Sequence, residues 1–386
     1  MTPTVHGRRA RKEKNVLGPK ECFSIVLQTL LRILPIPMQG RYKAKDIHSL
    51  AITMASQRQS VHSIDPLLSK GMSETNFWYH LSKMDIFDLE IMNRQLLTNP
   101  ILKLLDRNKP YRFAIDETDD PYYGQECSEN EEFVNGGPCK KSTTKFYRYI
   151  TLELLLPQMK VTLSALPVRK GVKKEEYIRQ MVEVIDGLGL SIEVLMLDRG
   201  FYSGEVFKLL MGRDIPFIMP VKRNSKKLKA LLQGRRSRFR KYILNEHTDP
   251  LELDIAIRTC YQNGRYGKHG LINYGYVFSG MDWTPYKIST VYERRFGIES
   301  SYVIRNKVRA KTTTRSPAVR YYLFLVSMLM RNVWMMLRWK YFRKRQRGPP
   351  VVDEDRFRFD NFRLKVWEHA KKVLKLVFET PVIRPG

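Results

Sequence analysis

The spacing of apolar residues changes near residue 110 of the 386-residue chain, and this change constrains the fold most strongly. From Glu21 to about Asn108 the apolar residues recur every three or four positions, which is the pattern of amphipathic helices. From Arg112 onward, short apolar runs typical of strands alternate with helical segments. Because strands and helices that alternate in this way pack as layers, we expect a helical domain followed by a mixed α/β core.

The elements of the core can be bounded from the same pattern. We predict strands at 112–116, 146–156, 160–166, 192–197, 215–221, 253–261 and 270–278, and helices at 173–188, 205–211, near Ile288 and at 317–347. Residues 222–241 hold ten basic residues and no acidic one. We therefore assign 109–221 and 285–347 to the core, 222–284 to a basic β-rich insertion, and 348–386 to a C-terminal tail.

The first 108 residues have the outline of a DNA-binding helical domain. Residues 1–20 are basic and are expected to form a disordered arm, and helices are expected from Phe23 and over 44–58 within the domain at 21–108. Lys70-Gly71 predicts a turn, and Ser73 is placed to cap a helix that contains Phe77. Helix, turn and capped helix describe a helix-turn-helix, whose second helix enters a major groove, but a plain helical bundle fits equally well.

The charge of the chain restricts its partners. Lysine and arginine number 68 against 39 acidic residues, which leaves a net charge of +29. Such an excess favours a polyanionic partner, with nucleic acid ahead of an anionic membrane surface. The apolar stretch 321–337 contains Arg331 and Asn332 and falls short of the roughly 20 residues of a membrane span, so we expect a buried helix.

The basic N-terminus and the cysteines bear on location. No apolar segment follows the N-terminal basic residues directly, so no secretory signal is expected. Four scattered cysteines offer no spacing that suits zinc, and we expect a reduced, cytoplasmic protein.

Two aspartates follow apolar strands and are candidate metal ligands. Asp116 ends the strand at 112–116, and Asp198 follows the strand at 192–197. The carboxyl ends of strands converge on a crevice in α/β sheets, and carboxylates there can share Mg²⁺. A pair of ions roughly 4 Å apart can activate a water or a 3′-hydroxyl at a phosphodiester. An aspartate after a strand is more often a cap or turn residue, so neither position decides the function alone.

A third carboxylate would complete such a site, and Glu299 is the best candidate. On a helix, Tyr292, Arg295 and Glu299 share one face at spacings of three and four residues. That face would present a carboxylate to metal, a guanidinium to phosphate and a phenol to the sugar-phosphate backbone. Asp119 and Asp120 compete with Asp116 for the first position, which we give to Asp116 because it directly ends the strand.

These segments resemble the DDE transposases of bacterial and archaeal insertion sequences, in the subgroup with a β-rich insertion before the catalytic glutamate. Asp116-Glu-Thr118 matches the family's D-x-T, Asp198-Arg199 its D-R, and Tyr292, Arg295 and Glu299 its Y-x2-R-x3-E-x6-K signature. Asn306 stands where that signature has lysine, and Lys307 or Arg305 could make the same phosphate contact.

The resemblance implies an RNase H-like mixed-sheet core that cleaves and joins DNA strands with Asp116, Asp198 and Glu299. It further implies two Mg²⁺ ions, for which Mn²⁺ can substitute, and a homodimer on double-stranded transposon ends and target DNA in the prokaryotic cytoplasm at the nucleoid. Expected DNA-binding residues are Tyr292, Arg295, Lys307, Arg199, Lys222, Arg223, Lys226 and Lys227.

Two questions stay open at the level of sequence. Tyr122 or Tyr123 could stack on a displaced base, although packing within the loop is the more common role of such residues. A non-catalytic DNA-binding protein derived from a transposase, or a host nuclease with the same core, would share many of these features.

Overall fold

The structure, a computed structural model, describes residues 16–68, 72–223, 225–264, 270–344, 347, 351–353 and 355–379, without the side chains of 296–300. The first fifteen residues of the predicted arm, and the predicted turn at Lys70-Gly71, lie outside the described residues. The five N-terminal helices are α1 Pro19–Ile33, α2 Ala44–Gln57, α3 Val61–Ile64, α4 Glu74–Leu81 and α5 Ile86–Thr98.

The capped helix α4 forms as predicted. The Ser73 hydroxyl accepts a hydrogen bond from the amide of Asn76 at 3.4 Å, which satisfies one of the free amides of the first turn. Its residues, Glu74 to Leu81, include no lysine or arginine. If α4 were a recognition helix, neighbouring segments would have to supply the contacts to phosphate. That α4 reads DNA stays a prediction.

One large mixed sheet forms the core. Its strands are β1 Pro110–Tyr122, β2 Val134–Lys140, β3 Thr143–Leu156, β4 Met159–Pro167, β5 Ser191–Leu197, β6 Phe217–Pro220, β7 Arg238–Leu244, β8 Leu251–Gln262 and β9 Gly270–Ser279. The order is β2-β3-β1-β5-β6-β9-β8-β7, and β4 pairs with β3. β1 is antiparallel to β3 and parallel to β5, which in turn is parallel to β6. Helices α6 Lys174–Gly187 and α7 Gly204–Gly212 provide the crossovers.

The predicted β-rich insertion continues this sheet. β9 pairs with β6 along Phe217↔Ser279, so β7, β8 and β9 extend the core strands within the same sheet. The short helix α8 Lys226–Leu231 precedes them. Strand β7 was not predicted, because its basic side chains are largely exposed and give no apolar alternation.

The C-terminal third supplies helices to both parts of the molecule. It contains α9 Pro285–Glu293, α10 Gly297–Asn306, α11 Pro317–Tyr341, the short strands β10 Arg343–Lys344 and β11 Val351–Val352, and α12 Phe359–Leu374. Helix α12 lies in the segment assigned to a tail and packs against α1 and α2, with the His369 ring 5.3 Å from that of Phe23. The tail therefore includes a helix that completes the N-terminal bundle.

Helix α11 is buried along most of its length because it passes between the helical bundle and strand β4. Its polar residue Arg331 is fully buried and pairs with Glu153 of β3 at 3.0 Å. Within the described part of the chain, no helix combines the length and the apolar character that crossing a bilayer requires.

Candidate active site

The register of β1 and β5 places Asp116 and Asp198 side by side. The two strands pair in parallel, and their last pair is Ile115↔Leu197. Asp116 directly follows Ile115, and Asp198 directly follows Leu197. Both lie at the carboxyl end of the paired strands, where ligands commonly bind. Asp116 was predicted to end its strand, but β1 continues to Tyr122 because its other edge stays paired with β3. Only the parallel pairing ends at this point.

A single buried guanidinium bridges the two carboxylates. The Nη2 atom of Arg295 lies 2.7 Å from Oδ1 of Asp116, and its Nη1 atom lies 3.6 Å from Oδ1 of Asp198. Side-chain exposure is 7% for Arg295, 13% for Asp116 and 49% for Asp198. Two acidic side chains thus converge on one cation at the rim of the sheet.

The surroundings of Asp116 favour its neutral form in the absence of a further cation. Burial raises the pKa of Asp116 to about 6; the charge of Arg295 opposes this rise, and the charge of Asp198 adds to it. Arg295 is the cation that neutralises this pair of carboxylates.

Tyr292 supports the site from inside the protein. Its hydroxyl donates to the carbonyl oxygen of Leu197 at 3.2 Å, and the side chain is buried. The Arg295 guanidinium lies 5.9 Å from the centre of the ring. The hydroxyl faces inward, which differs from the predicted contact with a sugar-phosphate backbone.

The predicted single helix through Glu299 is interrupted. Helix α9 ends at Glu293, a 3₁₀ turn covers Arg294–Phe296, and α10 begins at Gly297. The tighter turn changes the angular spacing, so the simple three-and-four rule for one face does not hold across it. The backbone of Glu299 lies in the first turns of α10, and its side chain lies outside the described residues.

Helix α10 is fastened beside the strand that carries Asp116. The hydroxyl of Tyr302 lies 2.7 Å from Oγ1 of Thr151, which is the cross-strand neighbour of Asp116. One turn of the same helix is held by the hydrogen bond from Arg331 to Ser301 at 2.7 Å. These two contacts bring the backbone of α10 to the same edge of the sheet as Asp116.

The competing acidic residues of β1 are committed to other cations. Asp120 is bound by Arg305 at 2.7 and 3.1 Å and by Arg309 at 3.3 Å. Burial alone would raise the pKa of Asp120, but these two arginines hold it below its ordinary value. Asp119 pairs with Arg148 at 2.7 Å and with Lys140. Asp116 therefore remains the aspartate of this segment that faces Asp198.

An open cleft of about 900 Å³ lies over the carboxylates. Asp116, Asp198 and Arg295 line it together with Glu117, which is not one of the predicted site residues. The Glu117 carboxylate pairs with Lys174 at 2.7 Å. Strands β8 and β9 contribute further lining residues, including Tyr261 and Tyr274. The extension of the sheet thus forms a wall of the cleft.

The predicted DNA-binding cations divide into two groups. Arg199 and Arg223 are exposed and line the cleft. Exposed Lys222 precedes Arg223 in the chain, and Lys226 and Lys227 lie on α8, where Lys227 pairs with Glu246 at 2.5 Å. These three lysines are not among the residues that line the cleft.

The two candidates for the missing signature lysine also differ in position. Arg305 is fully buried against Asp120, so its guanidinium is not available to a phosphate. Lys307 is partly exposed and pairs with Asp360 of α12 at 2.6 Å. Of this pair, only Lys307 lies at the surface, where its side chain could contact a DNA strand.

Comparison with known proteins bears on the family and the fold. Residues 107–329, more than half of the chain, match the family model described as Transposase DDE domain. The structure of the piggyBac transposase synaptic complex with hairpin DNA is similar, with 14% sequence identity and a TM-score of 0.55 over 95% of this chain and 82% of that chain. A Drosophila P element transposase strand transfer complex matches with 16% identity and a TM-score of 0.27, over 50% of this chain and 41% of that one.

No curated protein sequence matches the chain. At 14% identity the likeness to the piggyBac transposase concerns the fold, and it confirms the predicted mixed α/β core with its large sheet. The family match covers both aspartates and the α9–α10 segment. The chain belongs to the family of proteins with a DDE transposase domain.

Proposed function

We propose that the protein is a DNA transposase whose active site, formed by Asp116, Asp198 and Glu299, cleaves and joins DNA strands. We place it in the subgroup of DDE transposases with a β-rich insertion before the catalytic glutamate. The observation that carries this proposal is the pairing of Asp116 and Asp198 across one guanidinium, at the carboxyl ends of parallel strands. The site opens into a cleft with Arg199 and Arg223 on its lining, which suits a polyanionic substrate.

The residues present fit divalent metal ions. Asp116 and Asp198 offer oxygen donors, which Mg²⁺ prefers, and the charge of Asp198 adds to the rise in the pKa of Asp116. We propose that Glu299 completes this donor set from α10. When bound, two Mg²⁺ or Mn²⁺ ions would supply activation of a water or 3′-hydroxyl and stabilisation of the leaving oxygen.

The protein's own groups orient and neutralise the substrate. Arg295 lines the cleft beside both carboxylates, and we propose that its guanidinium also contacts a phosphate that enters there. Tyr292 holds the carbonyl of Leu197, directly before Asp198, and thereby fixes the end of β5. We assign Tyr292 to positioning the end of β5, with its buried ring at the wall of the cleft.

The wider surface is suited to a long duplex. Arg199, Lys222 and Arg223 lie at or near the cleft, and we propose that Lys226, Lys227 and Lys307 continue the phosphate contacts beyond it. The net charge of +29 supports binding of double-stranded DNA. We propose that a homodimer pairs the two transposon ends and joins them to target DNA in the prokaryotic cytoplasm.

The proposal is tested with DNA that carries the terminal inverted repeats bordering the gene, in Mg²⁺ or Mn²⁺. We expect nicking and strand joining by the unmodified protein, and loss of both in Asp116→Ala, Asp198→Ala and Glu299→Ala with DNA binding retained. Asp254→Ala is the matched control, because this aspartate is exposed on β8 of the same sheet.

Two results would contradict the proposal in different ways. Tight binding without cleavage in either metal would indicate a non-catalytic DNA-binding protein. Cleavage without strand joining would indicate a nuclease.

A further inference from the structure

Residues 307–315, which we name the strap, connect α10 to α11 across the end of β1. Their burial alternates with a period of two: Val308 and Ala310 are buried, whereas Lys311, Thr313 and Arg315 are exposed. Alternation of this kind indicates an extended chain with one face on the protein and the other toward solvent. The outward face carries basic side chains, so the strap forms an extended, positively charged segment at the protein surface.

The strap is held in place at several points. The Arg320 guanidinium donates from Nε to the carbonyl of Thr314 at 2.7 Å. The Tyr147 hydroxyl donates to the carbonyl of Arg315 at 2.6 Å, and the amide of Lys311 donates to the carbonyl of Gln59 at 3.1 Å. These bonds come from β3, α11 and the end of α2, so the backbone of the strap is positioned before any ligand binds.

Two cations of the strap have no acidic partner among the side chains that the structure describes. Lys311 and Arg315 are exposed, and no carboxylate among the described side chains pairs with either one. By contrast, Arg309 pairs with Asp120. A fixed backbone that presents uncompensated charges at intervals is suited to the phosphates of one DNA strand.

An exposed aromatic ring lies beside one of these cations, Lys311. Tyr123 and Lys311 both line a cavity of about 430 Å³ between the end of β1 and the strap. The Tyr123 ring is 69% exposed, and its hydroxyl donates to the carbonyl of Lys141 at 2.9 Å. Tyr122, in contrast, is buried and donates to the carbonyl of Gln125. A fixed, exposed ring next to cations is the combination that binds a nucleic-acid strand by stacking and charge.

We propose that the strap and Tyr123 form a second DNA-binding surface, which holds one strand of the substrate beyond the catalytic cleft. Lys311 and Arg315 bind phosphates, and Tyr123 stacks on a base. This inference rests on the proposed transposase function. Arg309 is tied to Asp120, four residues along β1 from Asp116, which corresponds to roughly 13 Å. Lys311 and Arg315 follow Arg309 along the strap, so they contact DNA roughly four or more base pairs from the phosphodiester that reacts.

The phosphate contacts are tested by the salt dependence of binding to duplex DNA that carries the inverted repeat. Lys311→Ala/Arg315→Ala should reduce the slope of log affinity against log salt by about two, since each phosphate contact contributes about 0.9. Arg179→Ala/Arg213→Ala removes the same charge from exposed positions on α6 and after α7, outside both the strap and the predicted DNA-binding residues, and should leave the slope unchanged. Equal slopes for the strap variant and the unmodified protein would overturn the phosphate contacts.

The position and the stacking are tested separately. Shortening the duplex to fewer than about four base pairs on one side of the cleavage site should abolish the difference between the strap variant and the unmodified protein. Persistence of that difference after truncation on either side would overturn the placement. On DNA with an unpaired strand at this position, Tyr123→Ala should bind roughly 5-fold or more weakly, and Tyr123→Phe should bind normally. Equal binding by these two variants would overturn stacking.

Failure of the strap proposal can be told apart from failure of the proposed function. All three readouts measure binding and need no cleavage. A protein that never cleaves DNA but shows the predicted strap effects would retain the second surface and lose the transposase proposal. A protein that cleaves and joins strands but lacks these effects would support the transposase proposal and overturn the second DNA-binding surface.

Discussion

Arg331 is the most heavily bonded buried cation at the junction of α10, α11 and the sheet. Its guanidinium bonds both oxygens of Glu153, at 3.0 and 3.2 Å, and the hydroxyl of Thr162 at 2.8 Å. It also donates to the carbonyl of Lys160 and to Ser301, both at 2.7 Å. Both partners of the ion pair are 0% exposed. Removal of one partner alone therefore leaves an uncompensated buried charge.

We predict that Arg331→Met destabilises the protein by about 3–5 kcal/mol, the usual cost of breaking a buried ion pair from one side. Methionine fills much of the arginine volume but leaves the Glu153 carboxylate without its cation. The double variant Glu153→Leu/Arg331→Met removes both charges and should recover most of the loss, because a buried pair replaced by apolar residues is often neutral.

Thermal unfolding in the absence of DNA measures both effects. At roughly 2 °C per kcal/mol for a large chain, the single variant should melt roughly 6–10 °C below the unmodified protein. The double variant should melt well above the single variant. A single variant as stable as the original protein, or a double variant no more stable than the single one, would refute the reasoning.

Three further predictions follow from buried groups. Burial lowers the pKa of His48 from 6.5 to about 4, so the stability that neutral His48 contributes is complete above pH 6.5 and is lost as the pH falls from there toward 4. Urea unfolding at pH 7 and pH 5 should show a loss of about 2 kcal/mol from this group, which His48→Gln removes. Because the pKa of Asp116 is raised to about 6, its stabilising contribution is present below pH 3.8 and lost as the pH rises through 6. Metal-free Asp116→Asn should therefore melt no lower than the original protein at pH 7, whereas Asp120→Asn, which weakens the partner of buried Arg305, should melt several degrees lower. Tyr292→Phe should bind DNA with unchanged affinity in a filter-binding assay, because the lost hydroxyl faces the Leu197 carbonyl; a large drop in affinity would show that it turns outward on DNA.

Much of the core was predictable because its strands are apolar and uninterrupted. The hairpin of β3 and β4 and the strand β5 lie close to their predicted bounds, since both faces of these strands are largely buried. Asp116 and Asp198 stood out as polar residues at the ends of such runs. Their adjacency, however, depends on the parallel register of β1 and β5, which spacing along the chain does not encode.

The features that escaped prediction depend on tertiary context. Helix α12 is amphipathic but strongly charged, and only the fold shows that it packs against α1 and α2, with Phe362 and Val366 among its buried residues. The 3₁₀ turn at Arg294–Phe296 interrupts a sequence whose spacing suits one continuous helix. The commitment of Arg305 to Asp120, 185 residues away along the chain, is likewise visible only in the fold.

The central claim is that Asp116 and Asp198 hold catalytic metal ions, and Mn²⁺ binding to the protein–DNA complex tests it most directly. Titration followed by electron paramagnetic resonance should show two bound Mn²⁺ per active site in the unmodified protein. Asp116→Ala and Asp198→Ala should each lose tight binding of at least one ion, and the surface control Asp254→Ala should bind both. Unchanged Mn²⁺ stoichiometry and affinity in both active-site variants would contradict the account.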